Sequence, residues 1–160
     1  MTMTPEQKLS SLGLVLPSAP VPLAQYRPAR LAGNTLYLSG QIPRNPDGSY
    51  ILGRLGRDVT VDQGSAAARN VGLQLLSVAK AMVGELSRIE AVAKVTGMLN
   101  AEVDFIDHAR VIDGCSNLLI GVFGDAGYHA RSVVGVGSLP FGVVVEIEAI
   151  LTTNNPVEAQ

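Results

Sequence analysis

A chain of 160 residues is long enough for one domain with a substantial core. Twelve Lys and Arg against fourteen Asp and Glu leave a formal charge of -2, which provides no electrostatic footprint for nucleic acid. Charged residues make up 16% and apolar ones 47%, so self-association is expected to cover part of the exterior. The single cysteine, Cys115, excludes an internal disulfide and cannot build a metal site alone. No uninterrupted apolar run reaches membrane-span length, and the polar N-terminus lacks a signal-peptide plan. The expectation is a soluble cytoplasmic protein with no membrane partner.

Residues 4–12 predict a short helix, with Thr4 as cap, Pro5 in the first turn and Gln7 completing a capping box. Pro17, Pro20, Pro22 and Pro28 then predict a rigid extended stretch around Tyr26 and Arg27. Two strands are expected over 26–31 and 34–39, joined by an Ala32-Gly33-Asn34 turn. Asn45-Pro46-Asp47-Gly48 is a turn signal, followed by a short edge strand over 49–52. Residues 53–60 read as loop with exposed Arg54 and Arg57; Gly53 and Gly56 are too scattered for a phosphate-binding loop.

Asp62 is the expected cap of a long helix whose apolar face carries Ala68, Val71, Leu75, Val78 and Met82. Gly72 inside it suggests close approach to a sheet. Alternation over 87–100 favours a strand, and Asp104 or Asp107 would cap a second long helix. Its stripe of Phe105, Ala109, Ile112, Cys115 and Leu119 makes Cys115 a core thiol. His108 reads as a surface or capping residue. Residues from Thr152 onward read as a flexible tail (152–160), and residues 1–21 as an N-terminal extension of a single domain spanning 1–160.

The charged end of the chain carries the chemistry. Val- and Ile-rich runs over 130–138 and 143–150 flank Leu139-Pro140-Phe141-Gly142, and antiparallel pairing across that link is the simplest reading. With Leu139 opposite Gly142, Arg131, Glu146 and Glu148 point to one face. Glu146 then lies about four positions, on the order of 13 Å, from the residue opposite Arg131. A slipped register would put the charges on opposite faces. Either they work separately or a second subunit completes the site. The purely structural alternative leaves Glu148 solvated and Arg131 tidying a strand end.

Tyr26, Leu38-Ser39-Gly40-Gln41-Ile42-Pro43, Ala130-Arg131-Ser132, Leu139-Pro140 and Val145-Glu146-Ile147-Glu148-Ala149-Ile150 together resemble a known family. It is the reactive-intermediate (imine) deaminase family, also called YjgF/UK114-like or endoribonuclease L-PSP-like. The resemblance covers roughly residues 22–151. It implies a chorismate-mutase-like α+β domain, a mixed sheet with helices on one face, and a homotrimer with clefts between subunits. It also implies hydrolysis of a small 2-imino acid, or its enamine, to a 2-oxo acid and ammonia, without metal or cofactor. In that likeness Arg131 binds the carboxylate and Glu146 orients water. Tyr26 lines the cleft with Ser39, Gly40 and Gln41, and backbone near Ser39 or Gly137 meets the imine nitrogen.

The chain departs from the archetype in ways that mark a longer, divergent branch. Asp113-Gly114 stands near the family's asparagine, Tyr128-His129 precedes the Ala-Arg-Ser block, and the N-terminal helix is extra. Ala24-Gln25-Tyr26 replaces a Gly-Pro-Tyr segment, and Gly135 replaces a residue often charged in close relatives. The alternative function is a non-catalytic or regulatory trimer that binds small carboxylates. The historical ribonuclease label finds no support in the charge balance.

Overall fold

The computed structural model describes residues 3–21 and 24–154. Helix α1 (Pro5–Ser11) opens on the expected capping box. The Thr4 hydroxyl accepts from the Gln7 amide, and the Gln7 side chain accepts from the Thr4 amide. A helix this short persists only when docked. Leu9 is buried, and the Glu6 carboxylate accepts the Leu86 amide at 2.6 Å.

Helix α2 (Val61–Val83) lies beneath the strap that follows α1. Lys80 stands 3.8 Å from Glu6, Ser77 donates to the Pro17 carbonyl at 2.6 Å, and Leu14 and Leu16 pack on the core. The strap thus runs back along α2 to Pro20 and Val21; Pro22 of the predicted extended stretch lies outside the described residues. The cap of α2 is Thr60, which closes a second capping box with Gln63. Asp62, the predicted cap, falls inside the first turn, where a carboxylate complements the helix dipole.

Strands β1 (Ala29–Ala32) and β2 (Thr35–Gln41) form the predicted hairpin, turning at Gly33 with φ 61°. The edge strand expected over 49–52 does not form; isolated bridges join Arg44 to Tyr50 and Leu52 to Val143 instead. Strand β3 (Ile89–Asn100) and helix α3 (His108–Phe123) follow as expected. Asp107 occupies the cap position of α3 without a side-chain capping bond. His108 is half-buried, with its ring edge-on to Phe105.

Strands β4 (Ala130–Val136) and β5 (Val145–Thr153) complete a five-stranded mixed sheet of order β1-β2-β5-β3-β4. They are not a hairpin. β4 pairs parallel with β3, β5 pairs antiparallel with β3, and β3 separates them. The Pro140–Gly142 segment is a short 3-10 turn in a crossover, so a local turn signal does not make the flanking strands neighbours. β5 also continues through Thr153, which is buried, into the stretch expected to be a tail; residues 155–160 of that stretch lie outside the described residues.

Helices cover one face of this α+β sheet. Val145, Ile147, Ala149 and Leu151 of β5 are buried on it, with Val95 and Leu99 of β3 and Leu36 and Leu38 of β2. Gly72 serves a helix–helix contact rather than approach to the sheet. A Cβ there would lie 2.8 Å from Leu118 Cδ2 and 3.3 Å from Cys115 Sγ, both on α3. At Gly114 a Cβ would run into the Ser65 carbonyl oxygen, so α2 and α3 touch backbone to backbone.

Candidate functional site

The register between β2 and β5 builds the site. Leu38 pairs with Ala149, but Gln41 pairs with Ile147, so β2 carries one extra residue at Ser39-Gly40. Such a bulge re-aims the local chain. Gly40 meets Glu146 so closely that a Cβ would occupy the space of its carboxylate. The Ser39 hydroxyl donates to the Arg27 carbonyl at 2.7 Å, and its amide donates to the Pro28 carbonyl at 2.9 Å. Those bonds tether the loop that carries Tyr26. The Gln41 side-chain amide folds back to donate to the Ser39 carbonyl at 3.1 Å.

Tyr26, Gly40, Gln41 and Glu146 thereby line one cavity of about 160 Å³, walled also by Arg44 and Phe141. Glu146 is half-buried, and among the described residues no cation lies within ion-pair distance of it. Burial pushes its carboxyl above the usual range, and the nearby Glu148 charge adds to that. Phe141 holds a left-handed backbone (φ 58°, ψ 3°), strained for a bulky side chain. Its ring stacks on Tyr50 at 4.6 Å, and the Arg44 guanidinium lies 4.6 Å over that same Tyr50 ring.

Arg131 is elsewhere. Val95 pairs with both Arg131 and Ala149, so Arg131 belongs to the helix-covered face; Met98 pairs with both Val134 and Glu146, on the open face. The hairpin register expected to put Arg131 and Glu146 on one face, about four positions apart, is thus replaced by two pairings with β3 that put them on opposite faces. Arg131 donates to Asp113 Oδ1 at 2.7 Å and to the Ser116 hydroxyl at 3.1 Å, both on α3. His129 Nδ1 lies 2.7 Å from the Gly127 carbonyl, which only accepts, so that nitrogen carries a proton. In the neutral ring Nε2 then accepts from Ser116 at 3.0 Å, leaving the hydroxyl oxygen to receive Arg131.

Two other predicted residues stand outside the cavity. Ser39 acts beside it, through the tether described above. Gly137 accepts from Arg54 at 3.4 Å. Arg54, expected to be exposed, is partly buried against Glu102 at 2.9 Å and Asn100 at 3.0 Å. Cys115 is a buried core thiol, its pKa pushed up to about 12 by burial. Among the described residues no group of three His, Cys, Asp or Glu is placed to hold a metal, and no helix is long and apolar enough to cross a membrane. Sequence reading missed Arg44 and Phe141. The signal for Arg44 was its place just after the Gln41-Ile42-Pro43 block, and for Phe141 its place in the turn before β5.

A family model described as "YjgF/chorismate mutase-like, putative endoribonuclease" matches residues 6–149. The chain belongs to this YjgF/chorismate-mutase-like family. Protein TCP17 of Trypanosoma cruzi is 40% identical to it over 148 residues, covering 92% of each chain. A 2-iminobutanoate/2-iminopropanoate deaminase of Dermatophagoides farinae is 31% identical over 150 residues, covering 93% of this chain and 98% of the relative. Among solved structures, protein Atu1372 of Agrobacterium tumefaciens, of unknown function, superposes with a TM-score of 0.87 at 40% identity, over 94% of this chain and 92% of its own. RidA from Psychrobacter superposes with a TM-score of 0.58 at 29% identity, over 84% of this chain and 94% of its own. The YjgF-like family therefore includes imine deaminases.

Proposed function

We propose that this YjgF-like chain hydrolyses small 2-imino acids, or their enamine tautomers, to 2-oxo acids and ammonia in the cytoplasm. The observation that carries this reading is Glu146, a half-buried carboxylate with no cationic partner among the described residues, facing a small cavity beside Gly40, Gln41 and Tyr26. Water held by Glu146 attacks the carbon of the protonated imine while the carboxylate accepts one of its protons, giving a neutral carbinolamine. Glu146 then returns that proton to the amine nitrogen, which leaves as ammonia as the C–N bond breaks, and the hydroxyl gives up its own proton as the carbonyl forms. A carboxyl raised by burial lies nearer the working pH of a general base. Tyr26 flanks the ligand, Gly40 and Gln41 form its floor, and backbone near Ser39 receives the imine nitrogen. No metal or cofactor is needed for this addition.

Arg131 binds the substrate carboxylate in this proposal. Because Arg131 and Glu146 occupy opposite sheet faces of one chain, they meet only when the edge strand β4 of one subunit borders the cavity of another. A homotrimer with inter-subunit clefts supplies that arrangement. Asp113 then acts as the resting partner of Arg131, and a substrate carboxylate takes its place through two parallel hydrogen bonds.

The Arg131–Asp113 pair also favours a second reading, a non-catalytic trimer that binds small carboxylates. A coupled assay separates the two. With 2-iminopropanoate and 2-iminobutanoate generated in situ, wild type accelerates hydrolysis, and Arg131→Ala and Glu146→Ala each lose most of that acceleration. Equal rates for all three proteins would sink the deaminase reading. Carboxylate binding that depends on Arg131, without turnover that depends on Glu146, would establish the second.

A further inference from the structure

We infer that Arg44 is a specificity-determining residue that recognises a second anionic group on the ligand, so that the substrates of the Glu146 cavity are 2-imino dicarboxylates. The inference rests on the deaminase reading for its chemistry and on the cavity for its geometry. Arg44 lines the same cavity as Glu146, and among the described residues no carboxylate lies within ion-pair distance of it. The contrast with two other partly buried arginines is direct: Arg54 has Glu102 at 2.9 Å, and Arg131 has Asp113 at 2.7 Å.

Arg44 is also held in place. Asn70 clamps its backbone from both sides, accepting from the Arg44 amide and donating to the Arg44 carbonyl, each at 2.9 Å. Its guanidinium carbon lies 4.6 Å over the Tyr50 ring, which stacks in turn on Phe141 of the cavity wall. A guanidinium held over an aromatic face uses none of its N–H donors on a carboxylate, and those donors match one in fork geometry.

The space agrees with a short dianion. A cavity of about 160 Å³ admits a few-carbon ligand and excludes a polymer. Beyond Arg44 it gives way to a groove of about 800 Å³ under the strap, and the two spaces share Arg44, Pro20 and Val21 as walls. Arg44 therefore stands at the boundary, where the far end of a ligand whose imine carbon lies at Glu146 would terminate. A dianion beside Glu146 and Glu148 meets repulsion that this guanidinium offsets; a ligand with an uncharged side chain has no use for it.

The test measures binding and turnover separately, on the full chain. Calorimetric titration with 2-oxoglutarate and with 2-oxobutanoate compares wild type, Arg44→Met and Arg44→Lys. Wild type is expected to bind 2-oxoglutarate at least tenfold more tightly. Arg44→Met should lose that margin while its 2-oxobutanoate affinity stays within about twofold, and Arg44→Lys should keep part of the margin. Melting curves identify any variant that fails to fold; the wild-type preference and the Arg44→Lys result then still decide. No preference in wild type, or equal weakening of both ligands in Arg44→Met, would overturn the inference, the latter because Arg44 would then hold the only carboxylate. Hydrolysis of imines generated from aspartate and alanine is followed in parallel. Arg44-dependent dicarboxylate binding without hydrolysis of either imine refutes the deaminase reading and leaves the recognition site standing. Hydrolysis of both imines at rates indifferent to Arg44 does the reverse.

Discussion

Arg131 and Glu146 lie a few rungs apart on the two faces of one sheet and have opposite surroundings. On the helix-covered face the charge of Arg131 is answered within the chain, by Asp113 and a Ser116–His129 relay. On the open face Glu146 is half-buried between a glycine and a cavity, with a like charge nearby. The first arrangement ties β4 to α3. The second keeps a carboxylate away from its preferred state, a condition that marks functional sites more often than structural ones. A charged residue in a strand thus has no role of its own; the face it lands on and the partner waiting there decide it.

The contrast breaks most severely at Gly40. Gly40→Ala puts a methyl group where the Glu146 carboxylate lies, and the flexible glutamate swings aside rather than the strand. Turnover of 2-iminopropanoate should fall about tenfold or more, because small misplacements of a reacting group are costly. The far-ultraviolet circular dichroism spectrum should be unchanged.

Asp113→Asn probes the other face. The side chains of the Arg131–Asp113 pair are 25% and 48% exposed, so its loss should cost under about 1 kcal/mol in a denaturant titration. If a neighbouring subunit uses Arg131, releasing it should lower KM for a monocarboxylate imine a few-fold while leaving kcat near wild type. An unchanged KM would mean that Arg131 serves only the fold.

The smallest effect is one of pH. Glu148 raises the pKa of Glu146, so Glu148→Gln should move the acidic limb of the kcat/KM profile to lower pH and leave the plateau intact. Linkage gives a companion result. The folded-state pKa of Glu146 stands above its unfolded value, so its contribution to stability is fully present below the unfolded pKa of about 4.3 and is lost as pH rises through the folded pKa. Glu146→Gln should therefore be more stable than wild type near neutrality, and that gain should vanish in acid.

Much of the fold was legible in local chemistry. The Thr4–Gln7 box, the apolar stripes of α2 and α3 and the alternation of β3 follow from short-range rules. The pairing of β4 and β5 did not follow, because Leu139–Gly142 has the composition of a hairpin turn whether or not a third strand enters between its arms. The same gap hid the fate of Arg131. Its partner on α3 depends on how that helix crosses the sheet, which the Arg131-to-Glu146 spacing does not encode. Tyr26, Gly40, Gln41 and Glu146 were found through family likeness and do share a cavity. Arg44 escaped because its place just after the Gln41-Ile42-Pro43 block says nothing of the cavity and the Tyr50 ring beside it.

The strap has a consequence for how binding can be retuned. Its anchors, Glu6 on the Leu86 amide and Ser77 on the Pro17 carbonyl, are not part of the Glu146 cavity lining, yet the chain they hold supplies Pro20 and Val21 to that wall. Substitutions at those moorings can reshape the ligand's enclosure without touching the strands that carry the chemistry. Under the proposed function, the shape of the cavity and the carboxylate facing it thereby belong to separate stretches of one polypeptide.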